Sequence, residues 1–135
     1  MIHMTTIPMI CVESVSATAK VLCELLGWQS THGGDEFDEL ADANGRRCVW
    51  LHTLGVPEHP RFADNHRGGL GRGVALYVFV DDIDAVYQRA RTLGLKIVEP
   101  LEQNPNAGFR EFSFVESNGY CFSVAERRDG GEMVS

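Results

Sequence analysis

The stretch IPMICVESVSATAKVLCELLGW, residues 7–28, decides the fold, because the chain repeats its pattern in ALYVFVDDIDAVYQRARTLGL, residues 75–95. Each copy opens with an apolar, strand-like run, followed by a residue that can cap a helix, Ser14 or Asp82. An amphipathic helical pattern comes next, and Gly27 and Gly94 stand where a left-handed residue would end each helix. The two apolar stripes comprise Val15, Thr18, Ala19, Leu22 and Leu25 in the first copy and Ile83, Val86, Tyr87, Ala90 and Leu93 in the second.

The repeat continues beyond the helices with shorter strand-like runs. DANGRRCVWLHTL, residues 42–54, parallels ESNGYCFSVAE, residues 116–126, and Asn44-Gly45 matches Asn118-Gly119. Asn-Gly is the dipeptide that most readily forms a two-residue hairpin turn. Each half therefore reads as a strand, a helix and three further strands. We predict an α+β fold in which two tandem βαβββ modules form a curled mixed sheet with a cleft inside and the helices outside.

The predicted organisation is a single domain over residues 1–135. The first module spans residues 5–54 and the second spans residues 74–128, followed by a tail at 129–135. Residues 55–73, GVPEHPRFADNHRGGLGRG, are rich in Gly, Pro and charged residues and show no periodic apolar face, so they are interpreted as a linker loop.

Composition limits the classes of partner. The formal net charge is −7 and the pI about 5.1, which disfavours nucleic acid and would attract a cationic small molecule. No apolar run is long enough to span a membrane, and the first residues do not resemble a secretory signal, so we expect a cytoplasmic protein. The four cysteines form no C-x-x-C pair and are expected to be free thiols: Cys11, Cys23, Cys48 and Cys121.

The paired modules, the opening stretch and the block GFREF, residues 108–112, resemble the vicinal oxygen chelate superfamily. That superfamily includes glyoxalase I, extradiol dioxygenases, fosfomycin-resistance enzymes and bleomycin-resistance proteins. The likeness is greatest to the bleomycin-resistance-like branch, which has Ile-Pro in its first strand, here Ile7-Pro8, and a Gly-x-Arg-Glu-Phe block before its last hairpin. The resemblance covers nearly the whole chain except residues 55–73. It implies the fold and a homodimer, whereas activity depends on the site.

Metal-dependent members of the superfamily carry a His at the start of each module's first strand and a carboxylate in each module's last strand. Hard divalent ions prefer these ligands and need vacant positions for the substrate. The resemblance places these four positions at residues that are poor ligands or none, so we expect no metal and no cofactor: Ile7, Val49, Ala75 and Ser123. His52 would reach the cleft only if the register of the fourth strand, around residues 49–52, shifts by one residue.

The cleft is predicted to be aromatic. Alternation along the strands places Met9, Tyr77 and Phe79 on its face. A two-residue turn at Asn118-Gly119 would pair Phe114 with Ser123. The hairpin would then form one wall of the site. The predicted ligand-binding residues are therefore Met9, Trp50, Phe62, Tyr77, Phe79, Arg110, Phe112, Phe114 and Ser123. Simple packing is the alternative for the aromatic residues, and for Arg110 the alternative is an ion pair.

The favoured function is a metal-independent protein of the bleomycin-resistance type, which sequesters a planar or extended drug or metabolite and so gives antibiotic resistance. The alternative is a glyoxalase-like lyase or dioxygenase whose metal is held by other residues, such as His52 and Glu111. A metal-free enzyme using Arg110, Glu111 or Glu116 and a regulatory domain are weaker alternatives. Since no pair of nucleophile and base is visible, no catalytic residue is assigned and an enzyme is disfavoured.

Overall fold

The computed structural model describes residues 6–54, 70–71, 73–106 and 108–127. The chain divides into two compact units, unit 1 (Met1–Arg67) and unit 2 (Gly68–Ser135). Most of the predicted linker and all of the predicted tail at 129–135 lie outside the described residues, as do Phe62, His3, His59 and His66.

Unit 1 contains one helix and a four-stranded sheet. The elements follow the order β1 (Met9–Val12), α1 (Val15–Leu26), β2 (Gln29–Ser30), β3 (Phe37–Ala41) and β4 (Arg47–Thr53). The strand order is β1-β4-β3-β2, and only the β1–β4 pair is parallel. A parallel pair needs a long crossover, which the helix and two strands between β1 and β4 supply.

Unit 2 repeats this plan. Its elements are β5 (Ala75–Val80), α2 (Ile83–Thr92), β6 (Lys96–Gln103), β7 (Arg110–Val115) and β8 (Cys121–Glu126). The strand order is β5-β8-β7-β6, again with a parallel first pair. The predicted α+β class with two tandem βαβββ modules is therefore confirmed.

Both helices begin at the predicted caps. The Ser14 Oγ accepts a hydrogen bond from the Ala17 N–H at 3.2 Å, and the Asp82 Oδ1 accepts one from the Ala85 N–H at 3.1 Å. The whole predicted stripe of α1 is buried, whereas in α2 Leu93 is 38% exposed just past the helix end. Among the described residues, no helix has the length and apolar character that crossing a bilayer demands.

The predicted two-residue turn at Asn118-Gly119 is wrong, because the turn is one residue longer. The Glu116 N–H donates to the Tyr120 carbonyl, so the turn comprises Ser117, Asn118 and Gly119. Glu116 Oε1 accepts from the backbone N–H groups of Asn118 and Tyr120 at 2.9 and 3.1 Å.

The corresponding turn of unit 1 is built in the same way. Oδ1 of Asp42 accepts from the N–H groups of Asn44 and Arg46, both at 2.9 Å. Gly45 and Gly119 have φ of 81° and 105°, the left-handed region that the third residue of such a turn requires. A three-residue turn after an acidic acceptor is therefore a feature of the repeat.

The longer turn reverses the predicted inward face of the hairpin. Ser113, not Phe114, pairs with Ser123, while Phe114 pairs with Phe122. Phe112 and Phe114 are fully buried on the helix side, where the Tyr87 ring of α2 lies 4.9 Å from the Phe112 ring. The prediction that Phe112 and Phe114 face a cleft is therefore wrong, because one extra turn residue exchanges the two faces of β7.

Candidate functional site

The candidate site is the open face of each sheet, which we define as the side turned away from that unit's helix. In unit 2 the register aligns one residue from each strand across this face: Tyr77 with Ser123, Ser123 with Ser113, and Ser113 with Glu99. The next row contains Phe79, Ala125, Glu111 and Glu102. This register places Tyr77, Phe79 and Ser123 on the face opposite the helix, and their role in ligand binding stays a prediction.

Glu111 forms the polar centre of this face. Its Oε1 accepts hydrogen bonds from the Tyr77 hydroxyl at 3.3 Å and from Asn104 Nδ2 at 2.8 Å. Among the described residues, its Oε2 is the one buried side-chain polar atom for which no hydrogen-bond partner is found. A buried acceptor without a donor costs about 1–3 kcal/mol. A donor that bonded to Glu111 Oε2 would remove this cost.

Aromatic rings lie beside this carboxylate. The Tyr77 ring stacks on the Phe79 ring with 6.1 Å between centroids, and Phe79 meets Phe109 edge-on at 5.6 Å. Phe109 is buried, whereas Tyr77 is 50% exposed although it is a large ring on a sheet face. The face therefore offers an accessible aromatic ring on a firmly packed base.

The charges of this face are mainly negative. Burial and the neighbouring Glu111 carboxylate raise the pKa of Tyr77, and Glu99 adds to the effect. Burial and Glu99 likewise raise the pKa of the Cys121 thiol. The Ser113 and Ser123 hydroxyls bond to each other at 2.8 Å. Tyr77 and Cys121 thus remain protonated at neutral pH and can donate hydrogen bonds.

The open face of unit 1 has a comparable row: Met9, Trp50, Glu39 and, after β2, Thr31. Trp50 Nε1 donates to Glu39 Oε2 at 2.7 Å, and the Thr31 hydroxyl donates to Glu39 Oε1 at 2.9 Å. These two hydrogen bonds, with the nearby Arg47, lower the pKa of Glu39. Unlike Glu111, Glu39 has donors at both carboxylate oxygens.

His52 lies in the next row of the same face, aligned with Cys11 and Phe37. Its Nδ1 contacts the Thr53 carbonyl oxygen at 2.8 Å, and since a carbonyl can only accept, Nδ1 carries the proton. Nε2 is then the nitrogen that bears the lone pair in the neutral ring.

The four positions where relatives would hold a metal do not fit one. Register corrects the fourth position, because Met9 aligns with Trp50 just as Tyr77 aligns with Ser123, whereas Val49 is buried on the helix side. The positions are then Ile7, Trp50, Ala75 and Ser123, of which only a serine hydroxyl could coordinate. Within the described ranges, no three His, Cys, Asp or Glu side chains are grouped as a metal site.

Arg110 is on the helix side of unit 2 and is held by two carboxylates. Its guanidinium donates to both oxygens of Asp84, at 3.1 and 3.0 Å, and its Nε donates to Glu126 Oε2 at 3.0 Å. These contacts raise the pKa of Arg110. The predicted ligand-binding role of Arg110 is not supported by this geometry, because alternation places it on the opposite face from Tyr77.

Glu111, Asn104 and Ser113 of the open face are residues that sequence reasoning did not place there. The signal was present in the acidic residues before the turns, Asp42 and Glu116, which sit two positions before Asn-Gly in both repeats. An acceptor at that position is typical of a type I turn closed by a left-handed glycine. Applying that turn length to β7 would have brought Glu111 and Ser113 to the open face.

Unit 1 also has a cavity on its helix side. Its volume is about 490 Å³, and residues of α1, β2, β3 and the segments between them line it, including Cys23, Trp28 and Asp38. Asp38 accepts hydrogen bonds from the Ser30 hydroxyl at 2.6 Å and from three backbone N–H groups. Although burial opposes it, this set of donors lowers the pKa of Asp38. The carboxylate therefore acts as a structural anchor for the loop.

Comparison with known proteins identifies the family of the chain. Residues 2–124 match the family model described as glyoxalase/bleomycin resistance protein/dioxygenase superfamily. No curated protein matches the chain significantly.

Solved structures share the fold at low sequence identity. A protein of unknown function from Agrobacterium tumefaciens is 20% identical, with a TM-score of 0.76 over 95% of this chain and 97% of that one. A glyoxalase-related enzyme from Fulvimarina pelagi is 13% identical, with a TM-score of 0.75 over 99% of both chains. The fosfomycin resistance protein FosX from Listeria monocytogenes is 12% identical, with a TM-score of 0.71 over 98% of this chain and 100% of that one.

Proposed function

Because the chain belongs to the glyoxalase/bleomycin resistance protein/dioxygenase superfamily, we propose that it is a small-molecule-binding protein of the bleomycin-resistance type. It holds an aromatic or extended ligand on the open face of the unit 2 sheet, without a metal ion. The observation that carries the proposal is the Tyr77 ring, 50% exposed on that face beside the Glu111 carboxylate.

An exposed ring on a packed base suits recognition of a flat ligand. Phe79 and the buried Phe109 support Tyr77 from one side, so little side-chain entropy is lost when a ligand covers the ring. A well-placed aromatic pair contributes about 0.5–1.5 kcal/mol beyond the burial of its area. The Tyr77 hydroxyl adds a hydrogen-bonding group that orients a ligand, whereas the Ser113 and Ser123 hydroxyls beneath it are buried and bond to each other.

The side chains at the four family metal positions support binding without an ion. Ile7, Trp50 and Ala75 offer no atom there that could coordinate a metal. The hydroxyl of the fourth residue, Ser123, is hydrogen-bonded to the Ser113 hydroxyl. Lewis-acid chemistry needs ligands that hold the ion and leave positions open for the substrate, and this set of donors does not fit that requirement. The proposal therefore includes no metal-assisted step.

An NMR titration of the ¹⁵N-labelled protein tests the proposal. Bleomycin and the neutral planar compound acridine are titrated in the presence of EDTA. We expect the largest shifts at the amides of Tyr77, Ser113 and Ser123, and weaker binding by Tyr77→Ala. Leu93→Ala, which removes another exposed apolar side chain, is the control and should bind normally.

Two results would overturn the proposal. One is that neither bleomycin nor acridine, at millimolar concentration, shifts the amide signals of the unit 2 face. The other is binding that appears only after Ni²⁺, Zn²⁺, Mn²⁺ or Fe²⁺ is restored. A homodimer and a role in antibiotic resistance are parts of the same proposal, and they are tested by light scattering and by protection of cells against the bound drug.

A further inference from the structure

The geometry points to Glu111 as the residue that selects the ligand of the open face. We propose that the ligand carries a protonated amine or amidine, which donates a hydrogen bond to Glu111 Oε2 while its apolar part covers the Tyr77 ring. This inference rests on the proposed function, since it names the class of molecule that the same face binds.

The first argument is the hydrogen-bond inventory of the carboxylate. A carboxylate has two oxygens that each accept strong hydrogen bonds. Oε1 of Glu111 has two donors, whereas Oε2 is buried and has none. A donor carried by the ligand would satisfy Oε2, and a cationic donor would add charge attraction to the hydrogen bond.

The second argument is that Asn104 holds Glu111 in a defined position. Asn104 Oδ1 accepts from the Asn106 N–H at 2.8 Å, so its Nδ2 is the atom that donates to Glu111. The Asn104 backbone is itself fixed, because its N–H donates to the Phe109 carbonyl at 2.8 Å. The carboxylate is therefore oriented before any ligand arrives, which reduces the entropic cost of binding.

The third argument is the balance of charge around the site. Glu99 and Glu102 of β6 lie in the same rows as Ser113 and Glu111 on the open face. Arg110 is held by Asp84 and Glu126 on the helix side. Lys96 aligns with Val115, at the far end of β7 from Glu111. The Glu111 and Glu99 carboxylates, which both act electrostatically on Tyr77, favour a cationic group over a neutral or an anionic one.

The contact between the Tyr77 hydroxyl and the Glu111 carboxylate is weak. The hydrogen bond from the Tyr77 hydroxyl to Glu111 is 3.3 Å long, beyond the usual range for two oxygens, and Tyr77 is half-exposed. We therefore expect the Tyr77 side chain to rotate when a cation approaches the carboxylate. The ring then lies beside the bound cation, an arrangement that adds a cation–π attraction.

A matched pair of probes tests the charge requirement. 2-Phenylethylamine and 2-phenylethanol have the same ring and chain but differ in the charged group. In NMR titrations of the intact protein, we expect the amine to bind the Tyr77 face at least tenfold more tightly than the alcohol. In Glu111→Gln this preference should fall to about threefold or less, because the amide removes the negative charge and leaves a donor toward the site.

Glu102→Gln is the matched control, since Glu102 is an exposed carboxylate that lies opposite Glu111 on β6 and does not carry the buried oxygen that distinguishes Glu111. It should keep most of the preference. Melting curves establish that each variant is folded.

The outcomes separate the two proposals. Equal binding of amine and alcohol at the Tyr77 face would overturn the amine inference and leave the binding function intact, as would an unchanged preference in Glu111→Gln. Failure of both probes, and of bleomycin and acridine, to perturb this face would overturn both. An amine preference that disappears in Glu111→Gln and persists in Glu102→Gln would support both.

Discussion

The hydroxyl oxygens of Ser113 and Ser123 lie 2.8 Å apart on adjacent strands of unit 2. This contact marks the register that decides which face of the β7–β8 hairpin is open. With Ser113 opposite Ser123, Glu111 joins Tyr77 on the open face and the phenylalanines of β7 turn to the helix. A three-residue turn at 117–119 sets the register, so the turn determines the chemistry of the site.

Replacement of Gly119 by alanine should destabilise this turn strongly. Gly119 has φ of 105°, and a Cβ there would lie 2.7 Å from the Leu70 carbonyl oxygen, a backbone atom that cannot move aside easily. We expect Gly119→Ala to lower the free energy of unfolding by about 2–4 kcal/mol, from backbone strain plus the clash. Urea denaturation followed by circular dichroism measures the change.

Gly45→Ala is the matched control in the equivalent turn of unit 1. Gly45 has φ of 81°, but a Cβ there would meet no atom within 4 Å. Only the left-handed conformation is penalised, by about 1–2 kcal/mol. Equal losses in the two variants would show that the contact with Leu70 does not restrain the turn.

Substitutions on the helix side of unit 2 should mainly lower stability, whereas those on the open face should mainly weaken ligand binding. Phe114 is fully buried and its ring stacks on the Phe122 ring at 5.3 Å, so Phe114→Ala should cost about 3–5 kcal/mol of stability. Tyr77→Ala should cost about 1 kcal/mol, because half of that side chain is already exposed, and should weaken binding of acridine at least tenfold. Calorimetric melting and the NMR titration give the two quantities.

The reverse pattern would contradict the assignment of faces. A stable Phe114→Ala variant that loses acridine binding would indicate that Phe114 contacts the ligand. A strongly destabilised Tyr77→Ala variant would make Tyr77 a packing residue.

The fold was predictable from the sequence because its repeat combines several independent local signals. The caps at Ser14 and Asp82 and the apolar stripe of α1 are determined by residues within one or two turns of helix, and all were observed as predicted. The alternation of Tyr77 and Phe79 along β5 was equally local. These features depend on short-range periodicity, which a single sequence displays directly.

The candidate site was only partly predictable, because it depends on register between strands. One additional turn residue moved Phe112 and Phe114 into the core and brought Glu111 to the open face. A one-residue difference likewise exchanges Val49 for Trp50 in β4. The role of Arg110 required the position of Asp84, 26 residues earlier in the chain, which no local pattern reports.

Arg110→Lys should lower the melting temperature and leave ligand binding unchanged. A lysine cannot donate in parallel to both oxygens of Asp84 and also reach Glu126, so the link between α2, β7 and β8 is weakened. The side chain is partly exposed, so the difference in melting temperature should shrink when salt is raised to 1 M. Differential scanning fluorimetry at both salt concentrations measures it.

Arg46→Lys is a suitable comparison, since Arg46 is an exposed arginine of the unit 1 turn whose backbone makes the turn contacts. It should melt like the unsubstituted protein. Loss of acridine binding in Arg110→Lys, with an unchanged melting temperature, would restore the ligand-binding role that the sequence predicts for Arg110.

Acid should weaken unit 1 through Asp38. The pKa of this carboxyl is lowered in the folded protein because, against the effect of burial, the Ser30 hydroxyl and three backbone N–H groups donate to it. A group with a depressed folded pKa stabilises the fold fully above its unfolded pKa, here 3.8, and the contribution is lost as the pH falls through the folded value. Asp38→Asn should therefore be less stable than the unsubstituted protein at pH 7, and the difference should narrow below pH 3.8.

Urea unfolding at intervals between pH 7 and pH 2.5 measures this difference. Glu24→Gln, an exposed carboxylate on α1, is the control and should follow the unsubstituted protein across the range. The free energies of unfolding of Asp38→Asn and the unsubstituted protein could instead differ by the same amount at every pH. That result would mean that Asp38 stabilises the fold through its shape and not its charge. A difference in the free energy of unfolding that narrows at low pH would show that the Asp38 carboxylate and its four hydrogen-bond donors account for the acid sensitivity of the loop before β3.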